Sequence, residues 1–218
     1  ADPRVRVLSF TGSTEIGRLL FRQSANTVKR LVLELGGLAP FIVFADADLE
    51  QVVEEAIKAK FATSGQDCLG ANRFFIERGI YDAFCARFAA ATAAFSVGRG
   101  LDDPDIGRLM NQKAVDNQRA QIADALANGA RCLTGGKSHA AGPLFFEPTV
   151  LADVPDSARI MHDENFGPVA AIAPFDSEDE VVARANDTEY GLIAYLHTND
   201  PRRIYRLSRA LQCGMVAV

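Results

Sequence analysis

Tryptophan is absent from the 218 residues, and histidine occurs only three times. His139, His162 and His197 form no HExxH or similar cluster, so no metal is expected. Cysteine is scarce as well. Cys68, Cys85, Cys132 and Cys213 lie far apart with no CxxC pair, in a chain long enough to fold without disulfide staples, and reduced thiols are expected. No apolar run approaches the roughly 18 to 20 residues that cross a bilayer. The start, ADPRVRVLSF, lacks the charged-then-apolar layout of a signal peptide. A soluble, cytoplasmic protein without a membrane partner is therefore expected. The 23 basic and 28 acidic residues give a net charge of -5 and include no basic run that could follow a phosphate backbone, which argues against a nucleic-acid partner.

What is present suits a packed globular core. At 48% hydrophobic and 23% charged, the chain has the balance of one domain, or of one domain plus a piece of another. Strand-like and helix-like segments alternate almost throughout, the pattern of an α/β layered fold with a largely parallel sheet. Val5 to Phe10 reads as a strand, and GSTEIG (Gly12 to Gly17) turns it into a helix. Leu31 to Leu35 and Phe41 to Ala45 read as further strands. Between Asp48 and Phe61, an Asp48/Gln51 capping box precedes a helix with Val52, Val53, Ala56, Ile57 and Phe61 on one face. RFFIE (Arg73 to Glu77) is strand-like. Tyr81, Phe84, Cys85, Phe88 and Phe95 recur at helical spacing, which makes Cys85 a core thiol.

A helix fills about 112 to 126 and stops at Asn128-Gly129; RCLT then forms a strand that buries Cys132. PVAAIAPF and YGLIAYLHT are strands, separated by a helix capped by Ser177 and Glu180. Asp200-Pro201 opens a last helix that Cys213-Gly214 ends, before a strand at MVAV. Both ends of the sequence fall inside strand-like runs and there is no initiator methionine, so a segment of a longer protein is expected.

Three features carry chemistry. Cys68 sits in FATSGQDCLGAN (Phe61 to Asn72), a Gly/Ser-rich turn between helix and strand whose backbone N-H groups could favour a thiolate. Taken alone it could equally be an inert core thiol. Glu34, in LELGGLAP, ends an apolar strand before two glycines; it is either a solvated strand end or a partly desolvated base able to activate water. GSTEIG places a helix N-terminus where a dinucleotide pyrophosphate could bind, or serves only as a structural turn, and it matches neither GxGxxG nor a P-loop.

Together with ENFGPV (Glu164 to Val169), these motifs resemble, in the same order, those of the aldehyde dehydrogenase superfamily, with Glu34 and Cys68 34 positions apart as its pattern requires. The resemblance covers essentially the whole chain. It implies an α/β aldehyde dehydrogenase-like catalytic domain over 37-218, with a parallel-rich sheet flanked by helices. Residues 1-36 would be the last strand-helix-strand part of a Rossmann-type cofactor domain. It implies NAD or NADP as cofactor and an aldehyde as substrate. Cys68 would add to the carbonyl, its backbone N-H and an upstream asparagine outside this chain would hold the oxyanion, and Glu34 would deprotonate the hydrolytic water. Glu164 would bind the nicotinamide ribose and Phe166 would pack beside the nicotinamide. Gly12 and Ser13 would lie along the cofactor phosphates, and Leu35 and Gly36 would border the nicotinamide end. A dimer or tetramer is expected of the complete protein, and inactivity of the segment alone.

Within the superfamily, ELGG-APFIVF-DADL, the ANR after the cysteine and ANDTEYGL look most like the succinate-semialdehyde dehydrogenase group. Ala62 stands where that group usually has an arginine that pairs with the substrate carboxylate. Gly70 replaces a second cysteine used by some members as a redox switch. A CoA-acylating relative generally does without the base at Glu34, a mere scaffold needs neither Cys68 nor Glu164, and a cysteine hydrolase needs a histidine beside Cys68 that has no identifiable place here.

Overall fold

The computed structural model describes residues 2–218. They form two compact units, one running to Gly37 and the other comprising Leu38–Val218. In the first, strands β1 (Val7–Thr11) and β2 (Arg30–Glu34) pair in parallel, with Val7 opposite Arg30 and Thr11 opposite Glu34. Helix α1 (Thr14–Ser24) makes the crossover between them. Ser13 is extended and caps α1, its Oγ accepting from the Ile16 N-H at 3.4 Å, which satisfies one of the first-turn amides that no helix can satisfy internally. A Cβ on Gly17 would come within 2.5 Å of the Leu35 side chain, so the second glycine of GSTEIG is what lets helix and strand approach so closely.

The second unit is built on a seven-stranded sheet. Its strands are β3 (Ala39–Val43), β4 (Ala71–Glu77), β5 (Arg131–Thr134), β6 (Thr149–Ala152), β7 (Val169–Phe175), β8 (Ile193–His197) and β9 (Met215–Ala217). They lie in the order β5-β6-β7-β4-β3-β8-β9, with every neighbouring pair parallel except the antiparallel β5 and β6. Helices α2 (Leu49–Phe61) and α3 (Tyr81–Ala93) cover one face; α4 (Gln112–Ala127), α5 (Glu178–Asn186) and α6 (Pro201–Ala210) cover the other.

Burial on both faces explains why the central strands are continuous apolar runs and do not alternate. Along β3, Phe41 and Val43 pack with Val52, Val53, Phe84 and Phe88 of α2 and α3. Ile42 and the following Phe44 pack with Val115, Ile122, Val181 and Leu207 of the opposite layer. Each such fully buried side chain contributes about 1.5 to 3 kcal/mol through its removal from water. Two polar side chains, Asn72 and Arg73, are buried on β4, and the larger is Arg73. Only 1% of it is exposed, and its guanidinium donates to three backbone carbonyls, those of Leu38 at 3.2 Å, Arg184 at 2.9 Å and Ala185 at 2.7 Å. It thus ties the approach to β3 to the C-terminal turn of α5, whose last carbonyls need outside donors.

The caps at Asp48, Ser177 and Asp200 stand as the sequence predicts, each accepting from first-turn amides, with Pro201 at the start of α6. The two capping boxes are incomplete in their second half. Gln51 turns its amide to Glu55, and Glu180 reaches the N-H of Asp176, not that of Ser177.

Four readings need correction. Cys132 is exposed because β5 is the edge strand, with only β6 beside it. Phe95 lies beyond the end of α3, although its ring still packs edge-on against Phe61 at 5.4 Å. α6 stops at Ala210, where Leu211 takes an extended conformation, and so ends before Cys213. Thr149–Ala152, unassigned from sequence, is the fully buried strand β6. Among the described residues, no helix is long and apolar enough to cross a membrane.

Candidate active site

β4 and β7 are adjacent parallel strands, Arg73 lying opposite Ala171, so the loops that lead into them are side by side. One of those loops carries Cys68 and the other carries Glu164 and Phe166. This adjacency brings together three of the residues singled out from sequence.

The cysteine turn is held by its own unusual backbone. After α2 ends, Thr63, Ser64 and Gly65 take φ of 50°, 60° and 72° in succession, a left-handed turn that only glycine adopts without strain. The position of Gly65 is also sterically closed, since a Cβ there would lie 2.2 Å from the Gly167 carbonyl oxygen. The segment after α3 clamps the turn: the Gly107 N-H donates to Ser64 Oγ at 2.8 Å, the Met110 N-H donates to Gln66 Oε1 at 2.8 Å, and Gln66 Nε2 donates to the Arg108 carbonyl at 3.2 Å.

Beyond Gln66 the chain folds tightly around Cys68. Asp67 Oδ1 accepts from the Leu69 N-H at 2.9 Å, and the Asp67 carbonyl accepts from the Gly70 N-H at 3.1 Å. The Tyr195 hydroxyl, reaching over from β8, donates to the Leu69 carbonyl at 2.8 Å. That phenol is pushed up from its ordinary pKa, first by burial and then by the negative charges at Asp67 and Cys68. Cys68 itself is half-buried. The other three thiols are all pushed up by burial, Cys85 to about 11, which disfavours the thiolate at each of them.

The second loop is pinned through Asn165, 1% exposed. Its Nδ2 donates to the Val169 carbonyl at 2.8 Å and its Oδ1 accepts from the Gly167 N-H at 3.1 Å. Its backbone carbonyl accepts from Gln118 Nε2 at 2.5 Å and Asn117 Nδ2 at 3.3 Å, both on α4, while Gln121 donates to the Asp163 carbonyl at 3.2 Å. Phe166, with φ of 45°, is held in the left-handed region by these contacts and is half-buried, as is Glu164. A left-handed non-glycine residue is the kind of local strain that surrounding structure must enforce.

The remaining candidates belong to the first unit. Gly12 and Glu34 are directly linked, the Gly12 N-H donating to the Glu34 carbonyl at 3.0 Å where β1 and β2 end. Gly12 and Ser13 are exposed at the N-terminus of α1, and Leu35 and Gly36 are half-buried. Glu34, at the end of β2, is exposed.

Residues 1–218 match the aldehyde dehydrogenase family. The chain belongs to that family. It is 51% identical over 218 residues to the non-phosphorylating aspartate-semialdehyde dehydrogenase of Halomonas elongata, covering 100% of this chain and 44% of that protein. It is 48% identical over 219 residues to the NADP(+) succinate-semialdehyde dehydrogenase of Escherichia coli, covering 100% of this chain and 45% of that one. The crystal structure of succinate-semialdehyde dehydrogenase from Burkholderia pseudomallei superposes with a TM-score of 0.97 at 53% identity, over 99% of this chain and 45% of that one. The chain therefore has the aldehyde dehydrogenase fold and spans about 45% of the length of such relatives.

The polar side chains that fasten the site were not found from sequence: Lys60, Asn72, Gln118, Gln121 and Asn165 are all buried. A signal existed for Lys60 alone, since it continues the apolar stripe of α2 that runs through Val52, Val53 and Ala56.

Proposed function

We propose that the complete protein carries out NAD(P)-dependent oxidation of an aldehyde, of the semialdehyde type, to the carboxylic acid through a thioester on Cys68. The observation that carries this reading is the contact of the two lead-in loops at Gly65 and Gly167, which holds the Cys68 turn against the loop of Glu164 and Phe166. Residues 1–36 would be the C-terminal part of a cofactor domain, and 37–218 would belong to the catalytic domain. The full-length enzyme would be a cytoplasmic dimer or tetramer, and the segment alone inactive.

The residues present suit a dinucleotide. The exposed N-terminus of α1 at Gly12 and Ser13 offers backbone N-H groups and the positive end of a helix dipole to phosphate. The carboxylate of the half-buried Glu164 can accept from ribose hydroxyls, and the half-buried Phe166 on the same loop supplies an apolar ring. When bound, NAD(P) supplies the hydride acceptor.

The protein's own groups carry the rest. The Cys68 thiolate adds to the carbonyl carbon, and the carbonyl electron pair moves onto oxygen, held by the Cys68 backbone N-H. Loss of hydride from that adduct leaves the thioester. Glu34 then removes a proton from water as it attacks the acyl carbon, and the thiolate leaves with the bonding pair.

The test is NAD(P)H formation by the full-length enzyme with a panel of aldehydes. Cys68→Ala should lose turnover altogether, and a retained rate refutes the nucleophile. Glu34→Gln should release one equivalent of NAD(P)H per site in a burst and then stall as thioester. Strict dependence on CoA for product formation would overturn the hydrolytic step.

A further inference from the structure

Lys60 occupies the last turn of α2 with only 1% of its surface exposed. Its ammonium donates to two amide oxygens, Asn165 Oδ1 at 3.1 Å and Asn72 Oδ1 at 3.3 Å, and the charge of Glu164 acts on it as well. Asn72 lies four residues after Cys68 on β4, and its own Nδ2 donates to the Gly70 carbonyl at 3.0 Å. Asn165 is the pin of the second loop and directly follows Glu164. One buried cation thus joins the strand that leaves the nucleophile turn to the loop of the ribose-binding candidate.

Packing does not call for that charge. An ammonium placed in a protein interior is strongly disfavoured by lost hydration, and two neutral amides with one carboxylate offset this only in part. Methionine would fill much of the same space without the penalty. A lysine here is explained by what its charge does to its neighbours, and the charged neighbour is Glu164.

We infer that Lys60 is a positioning residue for the cofactor end of the site, holding the Glu164 carboxylate and its loop in register with the strand that follows Cys68. The inference rests on the proposed aldehyde oxidation, in which Glu164 meets the nicotinamide ribose. With Glu164 drawn toward a fixed cation and Asn165 bonded to it, the loop is ordered before the cofactor arrives, so binding does not bear that ordering cost.

Burial pulls the ammonium down to about 7, so the protein's own titration supplies a probe. The groups that face it are Asn72 from β4 and Asn165 and Glu164 from the loop before β7, with Asn117 and Gln118 of α4 behind that loop; only Glu164 among them carries charge. Deprotonation of Lys60 removes the attraction that orders Glu164.

The experiment is a fluorescence titration of the full-length enzyme with NAD(P)H, which reads binding independently of turnover. In the wild type, Kd should rise severalfold from about pH 6 to about pH 8.5, and Glu164→Gln should abolish that slope. Lys60→Met should raise Kd about tenfold at neutral pH and leave the KM for aldehyde within about twofold, the loss expected when one charged contact is removed. In the Glu164→Gln background, Lys60→Met should add nothing further. A flat wild-type slope, or one unchanged by Glu164→Gln, overturns the inference even if Lys60→Met does not fold. Tight NAD(P)H binding with the expected slopes but no aldehyde oxidation would sink the proposed function and leave the binding role intact.

Discussion

A Cβ placed on Gly65 would lie 2.2 Å from the carbonyl oxygen of Gly167. The Cys68 turn and the Glu164 loop therefore meet backbone against backbone, at a distance that no side chain can enter. Gly65→Ala should fail on two counts, the left-handed φ of 72° and the collision with the Gly167 carbonyl, which accepts from the Val169 N-H while the Gly167 N-H donates to Asn165 Oδ1. The conformational strain alone costs about 1 to 2 kcal/mol. The collision adds more, so a fall in thermal midpoint of several degrees with near-complete loss of NAD(P)H formation is expected. Full activity in Gly65→Ala would show that the two loops are not fastened at this contact.

The thiols should separate by alkylation rate. Burial pushes Cys85 up to about 11 and also raises Cys132 and Cys213, and Cys85 is closed to reagent as well. A thiol raised in this way is almost wholly protonated near pH 8, and only the thiolate reacts. With limiting iodoacetamide and peptide mass analysis, Cys68 should label first, the exposed Cys132 and the half-buried Cys213 later, and Cys85 only on unfolding. Aldehyde substrate should protect Cys68 and none of the others. Cys132 labelling ahead of Cys68 would contradict the assignment of the activated thiol.

The order of most strands and helices, the three caps at Asp48, Ser177 and Asp200, and the four motifs could be read from sequence because they depend on local patterns. FIVF and RFFIE are apolar whichever neighbours they acquire, and Asp48, Ser177 and Asp200 cap their own helices. What lay beyond reach depended on pairing across distance. β6 was missed because four residues, Thr149–Ala152, are too short a run to show a period, and they become a strand only between β5 and β7. Cys132 looked buried because an apolar neighbour in a short strand carries no sign that the strand is an edge. The adjacency of the Cys68 and Glu164 loops follows from β4 lying beside β7, a non-local pairing that no spacing encodes. Glu34 was legible as a strand-end acid next to glycine, whereas its exposure needed the structure.

Ala62 caps the end of α2 and is exposed six residues before Cys68. The resemblance places a carboxylate-binding arginine at this position in the succinate-semialdehyde group. Ala62→Arg should accordingly raise kcat/KM for a four-carbon acidic semialdehyde by about tenfold or more, the usual range for a charge-assisted contact. The uncharged aldehyde of the same length should change little. The comparison is a ratio of two substrates on one enzyme, so a general loss of activity in the variant does not obscure it. An equal change for both aldehydes would mean that residue 62 does not face the substrate carboxylate.

Lys60 should leave a signature in stability as well as in binding, with a definite sign. In the unfolded chain the ammonium has its ordinary value near 10.5, and in the fold it falls to about 7. Below pH 7 both states hold the proton, and the fold bears the full cost of a buried cation. Above pH 7 the folded state releases it while the unfolded state keeps it, so stability rises with pH until the unfolded lysine also titrates. Cys85 opposes this at higher pH: raised from 9 to about 11, its thiol stays protonated in the fold while the unfolded chain ionises, so its stabilising effect is lost between about pH 9 and 11. Lys60 therefore acts ahead of Cys85 from about pH 7 to 9. Urea unfolding of the full-length enzyme should show stability increasing across that window, by about 1 to 3 kcal/mol. Lys60→Met should flatten the increase and raise the low-pH stability above that of the wild type. Such a variant, firmer in its fold yet weaker for NAD(P)H, would separate the two roles of this residue, because a lysine that only filled space could be replaced by methionine without loss of NAD(P)H binding.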